Sequence, residues 1–305
     1  MQINFIGKRN FTFTISGILF ITALFFLFVF GLKPGMDFTG GSLLEVSFSN
    51  NRPEVTQVRE LVQSMNFGTV VVQTTDNNGV IIKTKFLTEE EHQNLLSNLR
   101  TNFENEESKV LEQRFETIGS SVSSSLRNRS FTAIITVCIG IILFIAYAFR
   151  KVSRPVASWK YGAVAVVGLV HNIVITAGVF AILGKFAGVE VDTAFVVALL
   201  TVLGYSVNDT IVVFDRIREN LIKHSVDDFS SLVNKAINDT IARSINTTLT
   251  TLLALSALYF FGGVTIKNFS LALIIGIFLG AYSSIFVASP LLVVWHNWDE
   301  KRRNK

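Results

Sequence analysis

The chain has 305 residues, 50% of them hydrophobic and only 16% charged, with 27 Lys+Arg against 23 Asp+Glu. Soluble globular chains average about 25% charged residues, so this composition excludes disorder and asks for a solvent other than water. The single cysteine, Cys138, leaves no intramolecular disulfide framework and no cysteine metal cage. A net charge of +4 is too small to argue for nucleic acid.

Crossing a hydrocarbon core about 30 Å thick takes about 20 predominantly apolar residues. After a short N-terminus (1–10), the first such segment, 11–32, carries no charge. It is longer than a signal-peptide core, and Lys33-Pro34-Gly35 follows in place of a small-residue cleavage site, so it reads as a retained helix. Residues 33–129 form a charged stretch with alternating strand and helix signals. Strands are predicted at 42–47, 69–75, 80–86 and 110–117, the middle two joined by the turn signal Asp76-Asn77-Asn78-Gly79. A helix is expected over 53–65, with Pro53 near its first turn. Thr88-Glu89-Glu90-Glu91 is a capping box opening another helix to about 103. The order βαββαβ points to a small ferredoxin-like domain.

Five further spans follow within 130–298, at about 131–149, 158–183, 193–214, 241–261 and 269–295. Between the fourth and fifth, 215–240 mixes charges of both signs with apolar residues at helical intervals. It reads as an amphipathic helix on the membrane surface, with a solvated loop as the alternative. Basic residues near span ends set orientation. Lys8 and Arg9, then Arg150, Lys151, Arg154 and Lys160, then Arg216, Arg218 and Lys223, and finally Lys301, Arg302, Arg303 and Lys305 fall on one side if there are six spans. Both termini, including 299–305, are therefore expected in the cytoplasm and 33–129 outside. Trp159, Tyr161, Trp295 and Trp298 stand at span ends, where interfacial anchors belong. The expected fold is an α-helical polytopic membrane protein of six transmembrane helices with an inserted α+β ferredoxin-like periplasmic domain.

A charged residue inside a span is costly and marks function by default. Asp209 lies about six residues before Asp215 and Arg216, about 9 Å inside the boundary at 1.5 Å per residue. Val202, Ser206 and Asp209 share a helix face, with Tyr205 and Asn208 beside it. The expected partner is Arg243, which opens the fifth span ahead of Asn246, Thr247, Thr248, Thr250 and Thr251. An aspartate alternately approached by an arginine is a proton relay; a static ion pair predicts the same two residues. His171-Asn172, in the third span, reads either as an interhelical hydrogen bond or as part of a proton path. Gly276, Gly280 and Ser284 form a small-residue stripe for close helix packing. Asp37, Gly40 and Gly41, after the first span, suit a hinge and a rigid corner equally. No phosphate-cradling loop, zinc-protease motif or cysteine pair is present, so no cofactor or metal is expected and no catalytic residues are assigned.

Asp37-Phe38-Thr39-Gly40-Gly41, the segment 204–220 (Gly-Tyr-Ser-Val-Asn-Asp-Thr-Ile-Val-Val-Phe-Asp-Arg-Ile-Arg-Glu-Asn) and Arg243-Ser244-Ile245-Asn246-Thr247-Thr248 together resemble the signatures of the SecD/SecF family, on its SecF side. The likeness runs over nearly the whole chain. It implies kinship with resistance-nodulation-division transporters and a second six-span half supplied by SecD. It further implies association with the SecYEG channel and YajC in the bacterial inner membrane, and use of the proton motive force on an exported, unfolded polypeptide. It also implies that Asp209 and Arg243 are the proton-coupling pair; beside them, the polar residues Tyr205, Ser206, Asn208, Thr247 and His171 are candidates for a supporting role. The family commonly has His-Asp where this chain has His171-Asn172; asparagine does not titrate, so no acidic step is expected at 172. Two other classes stay open: a stand-alone proton-coupled exporter of a small molecule or lipid, and a structural assembly factor.

Overall fold

A 3₁₀ turn at Ile6–Lys8 leads into α1 (Arg9–Phe30), whose uncharged run offers no polar side chain strong enough to break the helix. It stops at Gly31, which takes φ 66° and donates its N–H to Leu27 O at 3.1 Å. The computed structural model describes residues 3–75, 78–150, 156–223 and 228–303. Lys151, Arg154, Lys305 and the turn residues Asp76 and Asn77, which figured in the sequence argument, lie outside them. The chain divides into two units, Met1–Lys33 with Phe131–Lys305, and Pro34–Ser130.

The inserted unit runs α2 (Met36–Thr39), β1 (Gly41–Phe48), α3 (Val55–Ser64), β2 (Val71–Thr74), β3 (Gly79–Thr84), α4 (Glu89–Phe103) and β4 (Val110–Ile118). The sheet order is β2-β3-β1-β4, with every pair antiparallel. This is the ferredoxin-like arrangement the element order implies. Strand alternation sends Leu44, Val46 and Phe48 of β1 inward, beside Val80 and Ile82 of β3. Val58 and Val62 of α3 and Leu95, Leu96 and Leu99 of α4 close the same core. The capping box at α4 forms as expected. Thr88 N–H donates to Glu91 Oε2 at 2.8 Å, and Glu91 N–H donates to Thr88 Oγ1 at 3.3 Å.

Gly40 and Gly41, at φ 75° and 135°, make the turn from α2 into β1. A Cβ on Gly41 would lie 2.6 Å from Thr84 O, and one on Gly40 would lie 3.1 Å from Ile118 O. The backbone passes close to its neighbours at both glycines, and the segment forms a tight corner.

The other unit is helical. It takes α5 (Ser120–Ala148) from Phe131 onward, and α6 (Ser158–Phe186), α7 (Thr193–Lys223), α8 (Phe229–Phe261), α9 (Val264–Ser283) and α10 (Ser289–Arg303) follow in order. With α9 and α10 continuous through a π turn at Ser284–Ala288, the described residues hold six helices long and apolar enough to span a membrane. Pro290 has no N–H to continue an α-helical ladder. The π turn just before it lets both the N–H and Oγ of Ser289 donate to Ser284 O, the latter at 2.7 Å.

Several helices outrun their apolar cores. α5 begins at Ser120 rather than near 131, because extending an existing helix costs far less than starting one. The expected surface helix over 215–240 is absent as a separate element. Its first part continues α7 to Lys223, and its last part is the start of α8; residues 224–227 are outside those described. The apolar periodicity there is real, but its face packs on protein rather than lipid. Ile217, Leu232, Val233 and Ile237 are buried together with Phe149, Tyr161 and Leu292. Tyr161 is likewise no interfacial anchor, since it is fully buried with its ring stacked 5.3 Å from Phe149.

Small residues set the closest helix approaches. A Cβ on Gly178 of α6 would fall 2.6 Å from the Cβ of Ala23 in α1. On α9, Cβ atoms at Gly276 and Gly280 would run into the side chains of Val202 and Ser206 of α7. The small-residue stripe of the last span thus seats α7, the helix that carries Asp209.

Candidate proton-coupling site

α7 carries polar side chains on two faces. Asp209 is 4% exposed, and across from it α8 presents Ser244 and Thr248, both buried. These two hydroxyls are the polar neighbours of its carboxylate. Even so, Asp209 Oδ2, Ser244 Oγ and Thr248 Oγ1 are each buried without a hydrogen-bond partner. Unpartnered buried polar atoms are rare and costly, about 1–3 kcal/mol each, and ask for an explanation in function, water or a proton. A protonated carboxyl here could donate to either hydroxyl, while an ionised one could accept from both. The pocket therefore offers hydrogen bonds to both states of the carboxyl.

Arg243 does not meet Asp209. It is exposed, and among the described residues it makes no ion pair. It stands one residue from Ser244, so the helical turn points it about 100° away from the face that Ser244 and Thr248 share. Tyr205, half-buried, ties α7 to α8 on the adjoining face. Its Oη donates to Thr247 O at 3.0 Å and lies 2.8 Å from Thr251 Oγ1. Thr247 acts through its backbone carbonyl, while its own Oγ1 donates to Arg243 O at 3.0 Å. Asn208 is exposed beside this face.

The second polar face of α7 looks toward α6 and α9. Asn172, fully buried, donates to Ser283 Oγ at 2.9 Å and to Ser206 Oγ at 3.3 Å. Thr210 Oγ1 lies 2.8 Å from Ser284 Oγ, at the first residue of the π turn. His171 Nδ1 is 3.2 Å from Asn172 Oδ1, and its ring lies near-parallel to those of Phe20 and Tyr282, with centroids 6.1 and 6.4 Å away. Its Nε2 is buried without a partner. Asn172 is thus the interhelical hub, with His171 beside it. Ser206 and His171 belong to this second cluster and not to the one around Asp209.

Sequence reasoning missed Ser244, Thr248, Ser283 and Ser284 as site residues. The signal was present for the first two: Ser244 and Thr248 are one turn apart on the face that also buries Ile237, Thr240 and Leu255. Reading the polar residues of that span as one load hid the face. Asp37, Gly40 and Gly41 lie in the inserted unit and form the corner described above. Among the described residues no group of three His, Cys, Asp or Glu side chains could hold a metal ion.

Residues 98–298 match the family model of the SecD/SecF protein export membrane protein, C-terminal, and residues 25–51 match the SecD/SecF GG motif. A protein translocase subunit SecF of Thermobaculum terrenum is 42% identical, the match covering 98% of this chain and 95% of that one. Its counterpart from Anaerolinea thermophila is 36% identical over 98% and 96%. Among solved structures, SecDF from Thermus thermophilus, a translocon-associated membrane protein, superposes with a TM-score of 0.82 at 32% identity. A structure of SecDF in a super-membrane-facing form gives 0.69 at 31%. The chain is covered to 97% and 100% in these two, but spans only 39% and 40% of the solved chains.

Proposed function

The chain belongs to the SecD/SecF family of protein export membrane proteins, and on that premise we propose that it is the SecF half of a proton-driven accessory to the Sec translocase. A SecD partner supplies the other six-span half, in keeping with a chain that spans about two-fifths of the SecDF structures. The complex works beside SecYEG and YajC in the inner membrane and acts on unfolded polypeptide emerging at the outer face. Residues 34–130 lie on that face, and both termini lie in the cytoplasm, on the side where Lys8, Arg9, Arg150, Lys160 and Arg302 gather at helix ends.

The observation that carries this reading is Asp209, a buried carboxyl with an unpartnered oxygen and two unpartnered hydroxyls opposite it. In the proposed cycle Asp209 takes up a proton from the outer side and holds it against Ser244 or Thr248. It releases the proton when α7 and α8 shift enough for Arg243 to approach. One proton moving down 100 mV contributes about 2.3 kcal/mol, enough to bias an equilibrium between two helix arrangements. The test uses membrane vesicles containing the SecD-paired complex and the translocase. Asp209→Asn is expected to remove the dependence of late export on the proton gradient, while assembly with SecD persists. Export that still responds fully to the gradient contradicts the assignment.

A further inference from the structure

Where α1 begins and α10 ends, a cavity of about 490 Å³ is lined by Arg9 on one side and by Val294, Asn297, Trp298, Glu300 and Lys301 of α10 on the other. Val294, Asn297, Trp298 and Lys301 are spaced i, i+3, i+4, i+7 and so form one helix face. Val294 and Trp298 are 38% and 50% exposed, which leaves an apolar wall open beneath the polar mouth. Among the described residues neither Arg9 nor Lys301 has an ion-pair partner. The acidic lining residue, Glu300, is drawn to its own helix neighbour, with Oε1 3.5 Å from His296 Nε2. Arg302 lays its guanidinium 3.8 Å over the Trp298 ring.

We propose that this groove binds one acidic phospholipid of the surrounding leaflet, its phosphate between Arg9 and Lys301 and its first acyl carbons along Val294 and Trp298. The order of the α10 face is the argument for a lipid. From Val294 to Lys301 it starts aliphatic, continues through the amide of Asn297 and the ring of Trp298, and ends on a cation, over about 10 Å of helix. A leaflet makes the same passage from hydrocarbon through a headgroup region roughly 5–8 Å thick. Two cations from different helices, without ion-pair partners among the described residues and lining one space of ligand size, complement a phosphate anion. A free phosphate would use the cations and leave the apolar wall without purpose. The site shares no residue with the cluster around Asp209, so it stands whether or not the proton reading does.

The full chain, purified in detergent and supplied with phosphatidylglycerol or phosphatidylcholine of matched acyl length, allows a direct test by native mass spectrometry. One phosphatidylglycerol per chain is expected to be retained on the order of ten- to thirty-fold more strongly than phosphatidylcholine, the value of two interfacial cations. Arg9→Gln with Lys301→Gln should bring the two lipids level. Lys8→Gln with Arg303→Gln, which removes the same charge outside the groove, should leave the preference intact. Equal retention of the two lipids by the unmodified chain overturns the proposal. So does an equal loss in both double variants, or displacement of the lipid by inorganic phosphate alone. Matching circular dichroism of the two double variants shows that loss of fold is not the cause.

Discussion

Asp209 faces hydroxyls, not a cation, and that changes what its neighbours must do. Ser244 Oγ and Thr248 Oγ1 make no hydrogen bond beyond what each offers the Asp209 carboxyl, and deleting them also removes polar atoms that are costly to bury. Ser244→Ala combined with Thr248→Ala should therefore shift stability by less than about 1 kcal/mol, read as an unchanged melting temperature. Gradient-dependent export by the same double variant should fall, because the protonated carboxyl loses its acceptors. An unchanged export response would make the two hydroxyls bystanders. Asp209 stood out in the sequence as a lone carboxylate inside an apolar run, and the structure buries it. Its surroundings were less legible. Pairing charge with charge singled out Arg243, whereas the helical period of α8 puts Ser244 and Thr248 on the inner face.

Among the elements, α8 shows what a helix start contributes. Its cap is Asp228, whose carboxylate accepts from Ser231 Oγ at 2.6 Å and from the N–H groups of Ser230 and Ser231 at 3.0 and 3.1 Å. The Ser231 side-chain hydrogen bond, ahead of those from the backbone, holds this carboxyl below its usual range. A carboxyl depressed in the folded state contributes stability that is fully present above its unfolded pKa and is lost as pH falls through the lower folded value. Asp228→Ala should cost the first turn of α8 about 1 kcal/mol at neutral pH. The faster amide exchange this causes at Ser230 and Ser231 should converge with the unmodified chain as the pH drops below the usual carboxylate range. Equal exchange at neutral pH would mean the cap does not secure the turn. The capping box at Thr88 was legible because it is four residues long and local. The lengths of α7 and α8 were not, because a helix end that packs its apolar side on protein has the same periodicity as one lying on lipid.

At the scale of the whole molecule, the βαββαβ order and the six apolar runs followed from periodicity and length alone. The inserted sheet has the strand order those signals imply. What no periodicity encodes is the contact between distant helices. Asn172 joining Ser206 and Ser283, or Gly280 admitting Ser206 of α7, depends on which helices are neighbours. These contacts give α7 one firmly held side, toward α6 and α9. On its other side α7 presents Asp209 to the unpartnered hydroxyls of α8 and is tied to that helix by Tyr205 and by Arg216, which pairs with Asp239. On the proposed function, motion coupled to protonation is expected on the α8 side, where the carboxyl lies. The most direct measurement is proton entry into vesicles holding the SecD-paired complex and the translocase, followed with an internal pH dye during export. The unmodified complex should admit protons only while polypeptide is moving, and Asp209→Asn should abolish that entry. Proton entry of undiminished size in the Asp209→Asn complex would contradict the account.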